Sequence, residues 1–218
     1  MTTEQEKLLK AALVHVPFDG MNDAALRAGA RDLNLSEQAI RVHFPRGGAD
    51  LAAAYHRRAD AALRVALAAN PPQGRFRDKV ADAVWQRLAL VQPELVRAGA
   101  ATLSLPQHQP LAAKLVWETA DAIWSGLGDT SDDVNWYSKR ATLSAVIGSA
   151  VLYWLGDDSE GHRDTRAFID RRIDGVMQFE KLKASARKLP GMAVLADLAT
   201  GWIKAPLDRV APGKGGDA

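Results

Sequence analysis

Apolar residues recur every three or four positions along most of the chain, which is the spacing of one face of an α-helix. Strand signals are rare, because few runs of β-branched residues occur and no Asn-Gly hairpin turn is present. The pattern therefore predicts an all-α protein. Its breaks, where proline, glycine and helix-capping residues cluster, predict where each helix begins and ends.

Four helices are predicted in an N-terminal head. They cover residues 4–16, 22–33, 36–43 and 49–69. Pro17 is expected to stop the first helix, and Ser36 is expected to cap the third. Two short helices joined by a tight turn at Asn34 are typical of a helix-turn-helix unit.

Pro71 and Pro72 are expected to separate this head from a larger helical body. Further helices are predicted over 76–91, from 94 after Pro93, from 111 after the turn between Pro106 and Pro110, over 134–155 and from 164. The predicted organisation is a head with its connecting helix over 1–70, a body over 71–189, an amphipathic helix over 190–206 and a frayed tail over 207–218.

Composition narrows the class of protein. The chain has 218 residues, of which 47% are apolar, so it can bury a sizeable core. No run of about 18 apolar residues occurs, and the first residues are polar, so we expect neither a membrane span nor a secretory signal. The absence of cysteine excludes disulfides, thiol catalysis and thiolate metal sites. A cytoplasmic protein is expected.

The net charge of +2 is unevenly distributed. Residues 1–70 have 9 basic and 8 acidic side chains, residues 71–180 have 12 and 15, and residues 181–218 have 7 and 3. Phosphate neutralisation supplies most of the non-specific affinity for DNA. A nearly neutral head therefore argues against nucleic-acid binding.

The head nevertheless resembles the helix-turn-helix of the tetracycline-repressor family over about 60 residues. The small or apolar positions that carry the resemblance are Ala30, Leu33, Leu35, Ile40 and Phe44. The predicted reading helix departs from that family, with Arg41 at the usual tyrosine and Gln38 at a usually small residue. A transcriptional regulator that senses a hydrophobic ligand remains the alternative function.

No catalytic or metal-binding residue is predicted. The five histidines are scattered, and no HExxH pair, GxSxG elbow, P-loop or GxGxxG fingerprint occurs. The aspartates of DTSDD, residues 129–133, lack the spacing of a calcium loop. The favoured interpretation is that they cap the following helix and complement its dipole.

That following helix contains Trp136, Tyr137 and Arg140. Trp136 and Arg140 are four residues apart and share a helical face. If they are exposed, their composition is that of a binding hot spot. If Trp136 is buried, Arg140 merely stacks on its ring. The sequence leaves both interpretations open.

Several stretches together carry a resemblance to a known family. They are the repressor-like head, AD at 121–122, IW at 123–124, GD at 128–129, NWY with R over 135–140, and DDS, DT, F and RI between 157 and 173. Over about residues 4–205 the chain thereby resembles the coenzyme Q biosynthesis protein nine family of ubiquinone biosynthesis accessory proteins. The resemblance implies a non-enzymatic homodimer with a repressor-like fold that binds lipid instead of DNA.

The resemblance also implies a ligand and a partner. The expected ligand is an isoprenoid quinone precursor or a phospholipid, with no cofactor, and the expected partner is a ubiquinone-pathway hydroxylase. The family's partner-binding patch corresponds here to Asp121, Ile123, Trp124, Leu127, Asp133, Asn135, Trp136, Tyr137 and Arg140.

A lipid cavity in the body needs bulky apolar walls. The aromatic residues that could supply them are Trp85, Trp117, Tyr153, Trp154 and Phe179. Helical aromatic residues usually pack the interior, so an ordinary core role is the alternative for each of the five.

The predicted helix over 190–206 has an apolar stripe. Its members are Met192, Leu195, Leu198, Trp202 and Ile203. Fifteen helical residues extend about 22 Å, which is too short for a hydrocarbon core of about 30 Å. The stripe can lie on a membrane or pack on the protein. The family resemblance favours membrane lipid, and it implies peripheral association with the inner face of the cytoplasmic membrane.

Overall fold

The structure is a computed structural model that describes residues 2–187 and 204–206. The described residues form nine α-helices and two short 3-10 turns, and they contain no strand. The helices are α1 (Thr3–Asp19), α2 (Asp23–Asp32), α3 (Glu37–His43), α4 (Gly48–Ala69), α5 (Phe76–Ala89), α6 (Pro93–Leu103), α7 (Gln109–Gly126), α8 (Val134–Leu155) and α9 (Arg163–Arg187). The predicted all-α fold is confirmed.

Capping side chains begin the helices where the sequence indicates. The side chain of Ser36 accepts the backbone N–H of Ala39 at the start of α3. Asp133 does the same for α8, where it accepts the backbone N–H of Asn135 at 2.8 Å. One aspartate of the DTSDD stretch is therefore the cap that the sequence predicts.

The predicted end of α1 is wrong by three residues. The helix passes Pro17 and continues to Asp19. Proline removes only one backbone donor, and the last turn of a helix tolerates that loss better than its interior. Gly20 caps the end of the helix, and its φ of +80° is a backbone conformation that favours glycine.

The chain divides into two compact units, each made of two segments. Unit 1 comprises Met1–Ala62 and Ala89–Val116, and unit 2 comprises Leu63–Leu88 and Trp117–Ala218. The head and body bounds over 1–70 and 71–189 stay sequence-based predictions.

Unit 1 is built around the contact between α1 and α2. Leu8, Leu26 and Phe44 are buried in its core. Gly29 of α2 lies so close to α1 that a Cβ atom there would fall 2.4 Å from the backbone nitrogen of Ala12. The two helices can approach this closely only because position 29 has no side chain.

Unit 2 contains α5, α8, α9 and most of α7. Its buried apolar side chains include Val84, Ile123, Leu143, Ile147, Ile169 and Ile173. None of the helices in the described part of the chain is long and apolar enough to cross a membrane.

The predicted membrane stripe falls outside the described residues. This applies to Met192, Leu195, Leu198, Trp202 and Ile203. Lys204, Ala205 and Pro206 are described and have no helical structure, so the helix predicted over 190–206 can extend no further than residue 203.

Candidate functional site

A buried arginine organises the start of α8. The side chain of Arg140 is 2% exposed, and its Nε donates to Oδ1 of Asp121 at 2.7 Å. Its Nη1 donates to Oδ2 of Asp129 at 3.1 Å and to the backbone oxygen of Trp136 at the same distance. Two carboxylates therefore neutralise one buried cation, which burial would otherwise destabilise strongly.

Asp129 is the most connected acid of this cluster. Its side chain is 3% exposed, and it accepts hydrogen bonds from Lys139 Nζ at 2.8 Å and from the Ser131 hydroxyl. Burial alone would raise the pKa of the Asp129 carboxyl. The hydrogen bonds from Lys139, Ser131 and Arg140 outweigh burial, so this pKa lies below its ordinary value.

Trp136 lies beneath the guanidinium group of Arg140. The Cζ atom of Arg140 is 4.0 Å from the centre of the Trp136 ring, which is 7% exposed. Tyr137 meets the edge of the same ring at 4.8 Å, and Trp117 lies 5.9 Å away. Of the two interpretations left open by the sequence, the buried one describes this structure. Trp136 and Arg140 do not form an exposed hot spot.

The other residues of the predicted partner patch differ in exposure. Ile123 is fully buried, and Trp124 is 6% exposed with its indole N–H bonded to the backbone oxygen of Lys139. The half-buried members, which reach the surface, are Asp121, Leu127, Asp133, Asn135 and Tyr137. The predicted patch is thus part surface and part supporting core.

An apolar cavity of about 210 Å³ lies beside this cluster, within unit 2. Residues from α5, α7, α8 and α9 line it: Phe76, Val80, Trp124, Asn135, Lys139, Thr142, Leu143, Val146, Ile173 and Val176. The rings of Phe76 and Trp124 stack at 5.5 Å in its wall. The polar members Asn135, Lys139 and Thr142 occupy successive turns of α8.

Four of the five aromatic residues predicted to line a cavity, namely Trp85, Trp117, Tyr153 and Trp154, are not among the residues that line this one. Trp154 is buried beside His162, and Trp85 lies under the guanidinium group of Arg166. Tyr153 stacks on Phe168 at the surface, and Trp117 packs against Trp136. The side chain of Phe179 is outside the described residues.

Spacing along α8 could have identified the lining residues that this helix contributes. Positions 135, 139, 142, 143 and 146 form one helical stripe, and its first three members are polar. A stripe that changes from polar to apolar along one helix face is typical of a site with a polar mouth and an apolar interior.

Lys204 and Ala205, near the end of the segment predicted as the membrane helix, contact this end of unit 2. The backbone N–H of Ala205 donates to the backbone oxygen of Asp132 at 3.1 Å. The hydroxyl of Tyr137 donates to the backbone oxygen of Lys204 at 3.2 Å. Ala205 is 8% exposed. Ala205 therefore contacts the loop between α7 and α8, and Lys204 contacts the first turn of α8.

The helix α3 of unit 1 presents an arginine that is already paired. Arg41 Nη2 lies 3.3 Å from a carboxylate oxygen of Glu37, and both side chains are mostly exposed. Next to them, Val42 is 68% exposed. The exposed side chains of α3 therefore include an ion pair and an apolar residue.

Comparisons with known proteins match both the sequence and the fold. The family model COQ9 matches residues 109–180, which contain α7, α8 and most of α9. The ubiquinone biosynthesis protein COQ9, mitochondrial, of Drosophila melanogaster is 32% identical over 183 residues, or 81% of this chain and 56% of that protein. The Homo sapiens protein of the same name is 30% identical over 79% of this chain and 57% of its own length. The chain thus spans just over half the length of these two relatives.

A solved structure is similar in fold. It is the TetR transcriptional regulator from Nitrosomonas europaea ATCC 19718, with a TM-score of 0.59 and 19% identity over 78% of this chain and 95% of that one. At this identity the match shows the fold alone. The resemblance to the COQ9 family is confirmed over residues 109–180, which match the family model, and the chain has the fold of the TetR regulators.

Proposed function

We propose that the chain is a non-enzymatic, lipid-binding accessory protein of ubiquinone biosynthesis, and that the cavity of unit 2 receives an isoprenoid quinone precursor. The observation that carries the proposal is an apolar cavity beside a buried charge cluster, with eight of its ten lining residues in the segment that the COQ9 model matches. The names of the relatives supply the pathway.

The size of the cavity limits what it holds. An apolar cavity of about 150 Å³ accepts benzene, and pockets for drug-sized ligands start at about 300 Å³. The cavity of about 210 Å³ therefore fits one substituted ring or a short stretch of isoprenoid chain. A long tail must extend out of it or widen it.

The rim provides polar partners for an oxygenated ligand. The ammonium group of Lys139 has three N–H donors, and the described bonds to Asp129 and Ser131 use two of them. The hydroxyl of Thr142 donates to the backbone oxygen of Ser138 and can still accept a hydrogen bond. Such groups orient a ligand whose remainder is buried by contact with Val80, Val146 and Ile173.

Photoaffinity labelling tests this assignment. A farnesyl probe with a diazirine group should label peptides from α5 and α8 in the purified protein, and Val146→Trp should abolish the labelling by filling the cavity. Ala145→Trp, on the exposed side of the same helix, is the matched control and should label normally. Labelling that Val146→Trp leaves unchanged would remove the cavity from the proposal.

The half-buried members of the predicted patch are proposed to contact a ubiquinone-pathway hydroxylase. Leu127 and Tyr137 provide apolar and aromatic surface. The buried, stacked side chains of Trp136 and Arg140 support that surface from beneath. Leu127→Asp should weaken binding of the purified hydroxylase from the same organism at least tenfold in calorimetry. Leu152→Asp, at an exposed site on α8, should leave hydroxylase binding unchanged. Equal binding by the unmodified protein and both variants would contradict the assignment.

Membrane association and a homodimer complete the proposal. Peripheral attachment to the inner face of the cytoplasmic membrane is assigned to residues 190–203, and its basis is the sequence stripe alone. Removing one aromatic anchor, in Trp202→Ser, should weaken flotation with anionic vesicles about tenfold, the equivalent of about 1.4 kcal/mol.

The proposed homodimer has its own test. Analytical ultracentrifugation at micromolar concentration should give twice the mass of the chain.

DNA binding is not favoured by the face of α3. Its exposed arginine is paired with Glu37, and the apolar Val42 lies beside it. A reading helix requires free donors for phosphates and base edges. Sequence-specific, salt-dependent retention of DNA would favour a regulator instead.

A further inference from the structure

The ammonium group of Lys139 is held in a fixed position at the rim of the cavity. Its Nζ donates to Oδ1 of Asp129 at 2.8 Å and to the hydroxyl of Ser131 at 2.6 Å. The same Nζ lies 5.3 Å from the centre of the Trp124 ring, which is part of the cavity wall. An ammonium group has three N–H donors and no acceptor, so the third donor of Lys139 requires a ligand atom with a lone pair.

Thr142 offers the complementary group one helical turn further along α8. Its hydroxyl donates to the backbone oxygen of Ser138 at 2.7 Å, so towards a ligand it acts as an acceptor. Lys139 and Thr142 both line the cavity and are three residues apart, which places them on one face of the helix. A hydroxyl group on the ligand can accept from Lys139 and donate to Thr142. A carbonyl or ether oxygen can only accept, and a hydrocarbon chain can do neither.

The two ends of an isoprenoid quinone precursor therefore differ in how well they suit this cavity. A hydrocarbon tail at the rim would displace water from Lys139 without replacing its hydrogen bond, which is unfavourable. A hydroxylated ring replaces that water, and its face can pack against the stacked rings of Phe76 and Trp124. The volume of about 210 Å³ is sufficient for one substituted ring.

We propose that the cavity takes the hydroxylated aromatic ring of its ligand, with the tail outside, and that Lys139 is the residue that selects this ring through its hydroxyl oxygen. The inference rests on the proposed function, which assigns the cavity to an isoprenoid quinone precursor without assigning either end of it. A site that hydrogen-bonds a hydroxyl group rejects an analogue without that group far more strongly than an apolar pocket rejects a change of one methylene.

Competition between two small aromatic compounds and the farnesyl diazirine probe tests the inference. The compounds are p-cresol and p-xylene, which have nearly the same size and differ by a hydroxyl in place of a methyl group. Each is titrated against the probe, and protection of the α5 and α8 peptides from labelling is measured. For the unmodified protein, p-cresol should give half-protection at a concentration at least ten times lower than p-xylene. A cavity without a polar partner would favour p-xylene, because removing a hydroxyl group from water without a new hydrogen bond is unfavourable.

Lys139→Met keeps a long side chain and removes all three donors, while Asp129 retains its hydrogen bonds from Arg140 and Ser131. The preference for p-cresol should disappear, and p-xylene should protect as it does in the unmodified protein, which shows that the cavity is intact. Lys10→Met is the matched control, because Lys10 is an exposed residue of α1 that does not line the cavity. It should keep the full preference.

The outcomes separate this inference from the proposed function. If the farnesyl probe does not label the unmodified protein, the proposed function fails and the inference fails with it. If the probe labels but p-cresol protects no better than p-xylene, the cavity still binds an isoprenoid chain and selection of the ring is wrong. If Lys139→Met keeps the preference, or loses protection by both compounds, Lys139 does not select the ring.

Discussion

Arg140 is a buried cation whose charge is neutralised inside the chain. Asp121 and Asp129 accept its hydrogen bonds, and its guanidinium group lies on the ring of Trp136. Removing one partner of a buried ion pair leaves an uncompensated charge, which costs more than the pair contributes. The arginine therefore supports the start of α8 and the surface around Tyr137.

Asp129→Asn should lower the free energy of unfolding by about 3–5 kcal/mol, because the buried Arg140 and the neighbouring Lys139 lose a shared carboxylate. Urea unfolding at pH 7 measures the change. Asp132→Asn, an exposed neighbour, should change stability by less than about 0.5 kcal/mol. Equal effects of the two substitutions would refute this role of Asp129.

The same carboxyl makes stability depend on acid pH. Because the folded-state pKa of Asp129 lies below the ordinary value of about 3.9, its contribution is complete above that pH and is lost as pH falls through the folded pKa. The stability difference between the unmodified protein and Asp129→Asn should therefore narrow from pH 5 to pH 2. Urea titrations across this range measure it, and a constant difference would contradict the assignment.

Substituting alanine for glycine should have opposite effects on stability at two helical positions. Gly29→Ala forces α1 and α2 apart, because the new Cβ meets the α1 backbone, and it should destabilise the protein by about 1–3 kcal/mol. Gly148→Ala in α8 places the new Cβ where no atom beyond its chain neighbours and the nearby backbone of its own helix lies within 4 Å, and it should stabilise the protein by about 0.5–1 kcal/mol. Thermal unfolding of both variants measures this, and destabilisation by both would contradict the packing described.

Helix bounds were largely predictable because they depend on local chemistry. Ser36 and Asp133 cap helices where their sequence positions indicate, and α8 has the predicted limits, 134–155. The continuation of α1 past Pro17 was missed, because a proline near the end of a helix removes one bond without preventing the turn.

Burial could not be predicted for the aromatic residues, since it depends on which helices pack together. The four-residue spacing of Trp136 and Arg140 shows that they share a face, but not that this face is covered. The cavity was missed for the same reason: Phe76 and Val146 line it from separate helices, and no local pattern joins them.

Across the whole molecule, basic side chains are distributed unevenly, and their distribution agrees with the proposed function. Unit 2 contains the cavity and most of the segment that the COQ9 model matches. The basic surplus of the chain lies in residues 181–218, whereas the predicted head is nearly neutral. This distribution favours attraction to anionic lipid at the tail more than attraction to DNA at the head.

Solvent extraction of lipid from the protein purified from a quinone-producing host, followed by mass spectrometry, tests whether the cavity of unit 2 binds an isoprenoid quinone precursor. The unmodified protein and Ala145→Trp should yield an isoprenoid quinone precursor close to one per chain, and Val146→Trp, checked for folding by circular dichroism, should yield less than a tenth as much. An unmodified protein that carries no isoprenoid, or a Val146→Trp variant that carries as much as the unmodified protein, would contradict the claim.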